Sequence, residues 1–416
     1  MKNVVIVSAC RTAIGTFGGT LKEMHAVDLA GVVMKEAVQR AGVSAELIDD
    51  VRFGCCFEPH TALNMARVAA LKAGIPNTSV ATTINRVCIS GMEATISGMA
   101  MIQAGLVDIV LAGGVEHMSS VVYVVPGARW GCRLQNSTLE DRLIEGLMCG
   151  SRLIPCPDKG PLVGGMPYDL YKGKPYIMGQ TAEFVAQMYN ISREEMDEVA
   201  LRSHNNVERA TKEGDFAEEI VPVEIRQKKG KPPKIFDKDE HFRPGITLQD
   251  LRDLPPAFIP EIGKVTAGNA SGLNDGASAT VIMSEEKAKE LGLKPLARIK
   301  AVGYGGCDPS IMGLGPVPSV RNLMKRSALK LEDFELIELN EAFAAQYLGC
   351  EKELKINREI TNVNGSGIGL GHPVGATGNR IMVSLIHAMK KRGKTLGLAT
   401  LCGGGGVSMA TAIELL

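Results

Sequence analysis

Four residues stand where their neighbours could make an ordinary side chain reactive. Cys88 lies in Asn-Arg-Val-Cys-Ile-Ser-Gly-Met-Glu-Ala (85–94), where a β-branched run gives way to a helical pattern. A helix N-terminus carries about half a positive charge and free N–H donors, so a thiol there should ionise more readily and act as a nucleophile. The order strand, nucleophile, helix is that of a nucleophile elbow, although a cysteine in a small-residue turn is also common in plain cores. His372 lies in Gly-Leu-Gly-His-Pro-Val-Gly-Ala-Thr-Gly (369–378), with Pro373 suited to the first turn of a helix and flanking glycines that admit backbone or ligand. Among seven histidines no other has such a setting; His25, His60, His204, His241 and His387 read as surface or satisfied polar residues. Cys402 precedes four consecutive glycines, whose N–H groups could form an oxyanion hole, and its thiol could move a proton at a reacting carbon. A strand-end cysteine before a bulge is the plainer alternative. Asn340, in Asn-Glu-Ala-Phe (340–343), could orient a water or donate to a carbonyl oxygen, or simply cap a turn.

The elements that must position these residues follow from periodicity. Continuous apolar runs at Val4–Ser8, Asp50–Gly54, Ile109–Gly113 and Ser278–Met283 predict buried strands. Apolar residues at three- and four-residue intervals predict helices over Asp28–Ala41, Ser90–Ala104 and Arg193–Glu213. This alternation implies an α/β fold. Residues 36–54 resemble 322–340, residues 82–91 resemble 361–378, and residues 106–114 resemble 394–406. Three matches in the same order imply a duplicated α/β unit, which would set the Cys88 and His372 turns face to face. A different texture, roughly Ser119 to Leu254, reads as a long insertion on one half, of the kind that usually carries binding loops.

Bulk composition narrows the function classes. The 46 basic and 46 acidic residues cancel, which gives no electrostatic case for nucleic acid or a membrane surface. No apolar run approaches the ~20 residues needed to span a bilayer, and the first residues lack the apolar core of a signal peptide, so a cytoplasmic location is expected. Ten cysteines without a C-x-x-C pair argue against structural zinc or a disulfide framework.

Cys88 with its Ile-Ser-Gly turn, Asn-Glu-Ala-Phe, Gly-His-Pro and the C-terminal Cys-Gly-Gly occur in the order and spacing of the thiolase family. The chain resembles that family throughout, from Ser8-Ala-Cys-Arg-Thr12 through Gly113–Met118 and Thr266–Gly276 to its C-terminus. The resemblance implies an acyltransferase that cleaves or forms 3-oxoacyl-CoA through an acyl-cysteine. Its fold would be duplicated halves in a five-layered α/β/α/β/α arrangement, two sheets around two central helices, with a long inserted loop domain. Residues 1–118 with 255–288 would form one half, 119–254 the insertion for CoA and oligomer contacts, and 289–416 the other half. Cys88 would be the nucleophile, His372 its base and Cys402 the proton carrier at the α-carbon. Asn340, through a water, and His372 would form one oxyanion hole, and the N–H groups of Cys88 and Gly404 the other. Ser271, Arg243, Phe258, Met178, Ile177, Ala267, Gly268 and Phe343 would contact substrate or CoA, with the Lys228–Lys234 run as a further phosphate candidate. CoA would be a co-substrate, with no permanent cofactor and no metal, in a homodimer or homotetramer.

Three departures bear on the substrate. Ile177 stands where acetoacetyl-CoA-type members usually carry histidine, Ile89 replaces a small residue, and Val121–Lys174 is long. An apolar Ile177 favours a larger acyl group, so a degradative thiolase for a bulky substrate such as benzoylsuccinyl-CoA, with a small zinc-ribbon partner subunit, is the leading expectation. An acetoacetyl-CoA thiolase (acetyl-CoA C-acetyltransferase) is the alternative. A ketoacyl synthase typically uses Cys-His-His, which Cys402 opposes. A non-catalytic acyl- or lipid-binding relative would be expected to lose the nucleophile, which is present.

Overall fold

In this computed structural model residues 2–158, 160, 164–227 and 230–416 are described. Strands β1 (Val4–Thr12), β2 (Asp50–Gly54), β3 (Val80–Ile84), β4 (Ile109–His117) and β5 (Asn274–Ser284) form the first half. Strands β6 (Ala297–Gly306), β7 (Leu336–Leu339), β8 (Leu396–Gly403) and β9 (Val407–Leu415) form the second. Hydrogen bonding orders them β7-β8-β9-β6-β1-β5-β4-β2-β3. Outward from the junction the halves read β1-β5-β4-β2 and β6-β9-β8-β7, each with two antiparallel pairings followed by a parallel one. Even β3 has a remnant counterpart, since Thr361 bridges Ile337 in parallel. The duplication read from three matched segments is therefore repeated in strand order.

The halves differ from the expected pair of separate sheets. Val5 pairs with Arg298 and Ile6 with Ala297, which joins them edge to edge into one hydrogen-bonded sheet. Helices α1 (Ala26–Ala41) and α2 (Ser90–Gln103) flank the first half. Helices α3 (Met178–Met188) and α4 (Arg193–Lys212) belong to the insertion, and α5 (Pro316–Ser327), α6 (Ala344–Leu354) and α7 (Val374–Arg392) to the second half. α2 and α7 form the middle layer, contacting strands of the first half while α7 also packs on β7, β8 and β9. α1 covers the outer face of the first half and α5 that of the second, which completes the five layers.

Local sequence explains these roles. α1 buries Leu29, Ala30, Val33, Ala37 and Ala41 along one stripe, is capped by the His25 side chain and ends at Gly42 in the left-handed region. α2 is apolar or small nearly all round, as a helix enclosed between two half-sheets must be. A Cβ at Gly91 would lie 2.8 Å from the Asn379 nitrogen, and one at Gly378 would lie 2.5 Å from the Met92 nitrogen. These two glycines let the central helices cross backbone to backbone, and that crossing brings their first turns together.

The insertion leaves the first half between β4 and β5 but packs largely on the second. Phe184 and Val185 of α3 share an apolar cluster with Leu314, Tyr347 and Leu348. It is tied back to β1 by Arg11, whose Nε donates to Glu219 at 2.7 Å and whose Nη atoms donate to Asp239 at 2.7 and 3.0 Å, all buried. Among the described residues, no helix is long and apolar enough to cross a membrane.

Candidate active site

Cys88 sits one residue before Ile89, which opens α2. The preceding Val87 has φ 52°, a strained conformation for a β-branched residue. Its neighbours hold it there: Asn85 Oδ1 accepts from the Val87 N–H, and the Ser90 hydroxyl and the Cys56 thiol both donate to the Val87 carbonyl. The same Ser90 oxygen accepts from the Arg86 N–H at 2.8 Å. The tight turn expected from sequence is present, and strain overdetermined by three side chains aims the sulfur at the cavity.

His372 is held differently. Its backbone N–H donates to Asn274 Oδ1 at 2.9 Å, a contact from β5 of the other half. Thr377 Oγ1 donates its only proton to the Pro373 carbonyl at 2.9 Å, so towards His372 Nδ1, 2.7 Å away, it acts as acceptor. Nδ1 therefore carries the ring proton, and Nε2 keeps a free lone pair, the form a general base needs. The first turn of α7 is anchored by Glu116, whose buried carboxylate accepts from the N–H groups of Gly375, Cys56 and Phe57 at 2.9–3.0 Å. Glu116 thus ties the His372 turn to the Cys56–Phe57 loop, and the Cys56 thiol carries that link on to Val87 in the Cys88 turn.

Cys88, His372 and Cys402 line one cavity of about 450 Å³. Cys402 is buried at the end of β8, followed by the Gly404–Gly406 turn. The backbone N–H groups of Gly404 and of Cys88 itself favour the Cys88 thiolate. The remaining wall is mostly apolar, including Phe57, Leu147, Met312 and Val374.

Protonation departs from the sequence expectation of a readily ionised thiol. Burial pushes Cys88 up to about 11 despite the two N–H donors. Burial, and then the Arg380 guanidinium, push His372 down to about 3. Burial first, and then neighbouring thiols, raise Cys402 well above the usual thiol value. A helix end is worth up to ~2 kcal/mol in favourable cases, whereas desolvating a charge can shift a titration by ~3–5 pH units; here desolvation wins. Thiol and imidazole are both neutral at rest.

Of the expected substrate contacts, Ser271, Phe258, Met178, Ile177 and Phe343 lie in the cavity wall. Ala267 is exposed and Gly268 packs on Leu251 and Leu254, both outside that wall. Arg243 is exposed, its backbone N–H donating to His204 Nδ1. Lys228 and Lys229 lie outside the described residues; Lys231 and Lys234 are exposed, Lys234 in a short ribbon with Ile225. Asn340 is fully buried and does not itself line the cavity, whose wall begins two residues on at Ala342; its Oδ1 accepts from Arg380, and its Nδ2 has no partner among the described residues. Sequence reasoning missed Thr377, Asn274 and Glu116 as supports. Thr377 stands one turn after His372 in the same motif, which was a usable signal; Glu116 and Asn274 act only across the fold.

Comparison with known proteins gives a consistent result. The family model described as "Thiolase, N-terminal domain" matches residues 4–154 and 163–286, and "Thiolase, C-terminal domain" matches residues 293–415. The chain is 47% identical over 414 residues to an acetyl-CoA acetyltransferase of Cupriavidus necator, covering 100% of both. It superposes on the crystal structure of the Bacillus anthracis acetyl-CoA acetyltransferase with a TM-score of 0.91 at 49% identity, over 100% of this chain and 99% of that one. Human mitochondrial 3-ketoacyl-CoA thiolase in complex with CoA aligns with a TM-score of 0.90 at 39% identity, over 100% and 98%.

Proposed function

The chain belongs to the thiolase family, and from that premise we propose that it is an acetyl-CoA C-acetyltransferase working on acetoacetyl-CoA through an acyl-Cys88 intermediate. As a family member it is an acyltransferase with CoA as co-substrate. The observation that carries the acyl-Cys88 chemistry is the convergence of Cys88, His372 and Cys402 on one cavity. Two of the three relatives above are named for acetyl transfer and the third as a 3-ketoacyl-CoA thiolase, and none of the names supports benzoylsuccinyl-CoA or a zinc-ribbon partner.

The residues divide the reaction into two proton-balanced stages. His372 Nε2 takes the Cys88 proton as Sγ attacks the 3-keto carbon, and the oxyanion formed lies towards Asn340 and His372. The C2–C3 bond then breaks, and the leaving enolate takes the Cys402 proton to become acetyl-CoA. In the second stage Cys402 regains a proton from His372, and the imidazole so freed takes the thiol proton of free CoA as its sulfur attacks the acyl-thioester. The N–H groups of Cys88 and Gly404 stabilise that oxyanion, and His372 returns its proton to Cys88 as the second product leaves. Because both resting groups are neutral, little thiolate is present before substrate binds.

A second reading, a wider acyl range, is supported by the apolar wall of Ile177, Leu147, Phe57 and Met312. Steady-state thiolysis across 3-oxoacyl-CoAs of graded size tests both. The proposal expects acetoacetyl-CoA to have the highest kcat/KM; a bulky or branched substrate exceeding it tenfold would transfer the assignment to the second reading. Incubation with acetoacetyl-CoA should add an acetyl mass to the chain, absent in Cys88→Ala. No turnover with any 3-oxoacyl-CoA would falsify the enzyme assignment.

A further inference from the structure

One buried cation plays no part in the scheme above. Arg380, on α7, is 1% exposed. Its Nη2 donates to Asn340 Oδ1 at 3.2 Å. The carboxyl group beside it, Glu338, is 3.9 Å from Nη1, beyond hydrogen-bond range, and Nε and Nη1 have no acceptor among the described residues. A fully buried guanidinium so incompletely paired costs stability rather than adding it. Its one well-formed side-chain contact is the bond to Asn340.

That bond settles an otherwise symmetric choice. The two ends of an asparagine amide are nearly equal in size, and only neighbours decide which faces which way. A guanidinium has donors and no acceptor, so only Oδ1 can face it. Nδ2 is then forced to the opposite side, where it is a buried donor with no acceptor among the described residues. The chain continues directly into Ala342 and Phe343, both in the cavity wall. Burial also pushes Glu338 up to about 8, so near neutral pH its carboxyl competes weakly with Asn340 for the guanidinium.

We propose that Arg380 is a positioning residue that locks the Asn340 amide with Nδ2 presented as the donor for the oxyanion of the first stage. This rests on the reading of Asn340 given above, and the test separates the two. kcat and KM for acetoacetyl-CoA are measured in Asn340→Ala, in Glu338→Gln/Arg380→Gln, which removes the buried cation together with the carboxyl group beside it, and in the triple variant. Thermal midpoints confirm that each is folded, and Arg380→Lys, which keeps a donor, should fall between wild type and the double variant. Asn340→Ala should lower kcat about 10²-fold, as loss of an oxyanion donor does. The charge-neutral pair should lower it about tenfold with KM within about threefold, and its effect should vanish once Asn340 is gone. Effects that multiply in the triple variant, or a folded double variant with wild-type kcat, overturn the role of Arg380 while leaving Asn340 in place. Unchanged kcat in Asn340→Ala removes Asn340 from the chemistry and overturns both readings.

Discussion

The two halves share a strand plan and differ in what fills its corners. Between β8 and β9 the second half uses only the Gly404–Gly406 turn, and the Gly404 N–H stays bare enough to favour the Cys88 thiolate. At the equivalent corner of the first half, between β4 and β5, the chain inserts residues 118–273, including α3 and α4. The helix starts differ in the same way. The Cys88 turn is held by its neighbours in sequence, Asn85 and Ser90, with Cys56 close by. The His372 turn is held by Thr377 and by Asn274 and Glu116 from the other half. Duplication supplies two opposed helix starts; divergence makes one a strained nucleophile turn and the other a base fixed in a single tautomer.

Removing the chemical group from either turn should show whether they act as a pair. Cys88→Ala and His372→Ala should each lower thiolysis by about 10⁴-fold or more, with no additive loss when combined. His372→Ala retaining wild-type acylation of Cys88, followed by intact mass, would break the pairing. Cys402→Ser should lower turnover by about 10²–10⁴-fold, in line with loss of a general acid. Its acylation by acetyl-CoA should persist, because that step needs no proton at the α-carbon. Loss of both activities together would place Cys402 with the nucleophile instead. A smaller effect is expected from Thr377→Val, about tenfold in kcat with the thermal midpoint little changed, since it frees the imidazole to adopt the wrong tautomer. No change in kcat would show that Thr377 does not fix the ring.

The pH behaviour sharpens the same contrast. Cys88 is raised to about 11 and His372 lowered to about 3. Between pH 6 and 9 the thiolate fraction of the free enzyme should therefore rise about tenfold per pH unit, with no step from His372. Iodoacetamide inactivation rates should climb through that window. A plateau with a midpoint near 7 would mean a resting thiolate–imidazolium pair. For stability the sign is that of a histidine buried neutral: its contribution is present above the unfolded value near 6.5 and is lost as pH falls towards 3. His204 and His241, both lowered to about 4 chiefly by burial, lose theirs in the same direction and add to acid lability of the insertion.

Much of the site was legible because it is local. Cys88, His372 and Cys402 announce themselves through glycine-rich turns at element boundaries, and the strands and helices that carry them follow from apolar periodicity. The duplicated order was readable for the same reason, since matched segments keep their spacing. The ionisation of Cys88 was not legible. A helix start is visible in a ten-residue window, but the burial that outweighs it comes from residues far away in the chain. Arg243 and the Lys228–Lys234 run attracted attention by charge alone, and charge on a loop says little about where that loop packs.

Residue order by itself determined which side chains carry the chemistry, which turns hold them, and that two such turns exist in equivalent places. Tertiary structure alone decided that those turns meet, through the Gly91–Gly378 crossing of α2 and α7. It also decided that the imidazole keeps Nε2 free and that thiol and ring rest neutral. The physical reason is range: backbone preference and apolar period act over a few residues, whereas desolvation and hydrogen bonds between side chains hundreds of positions apart exist only once the halves have closed on each other.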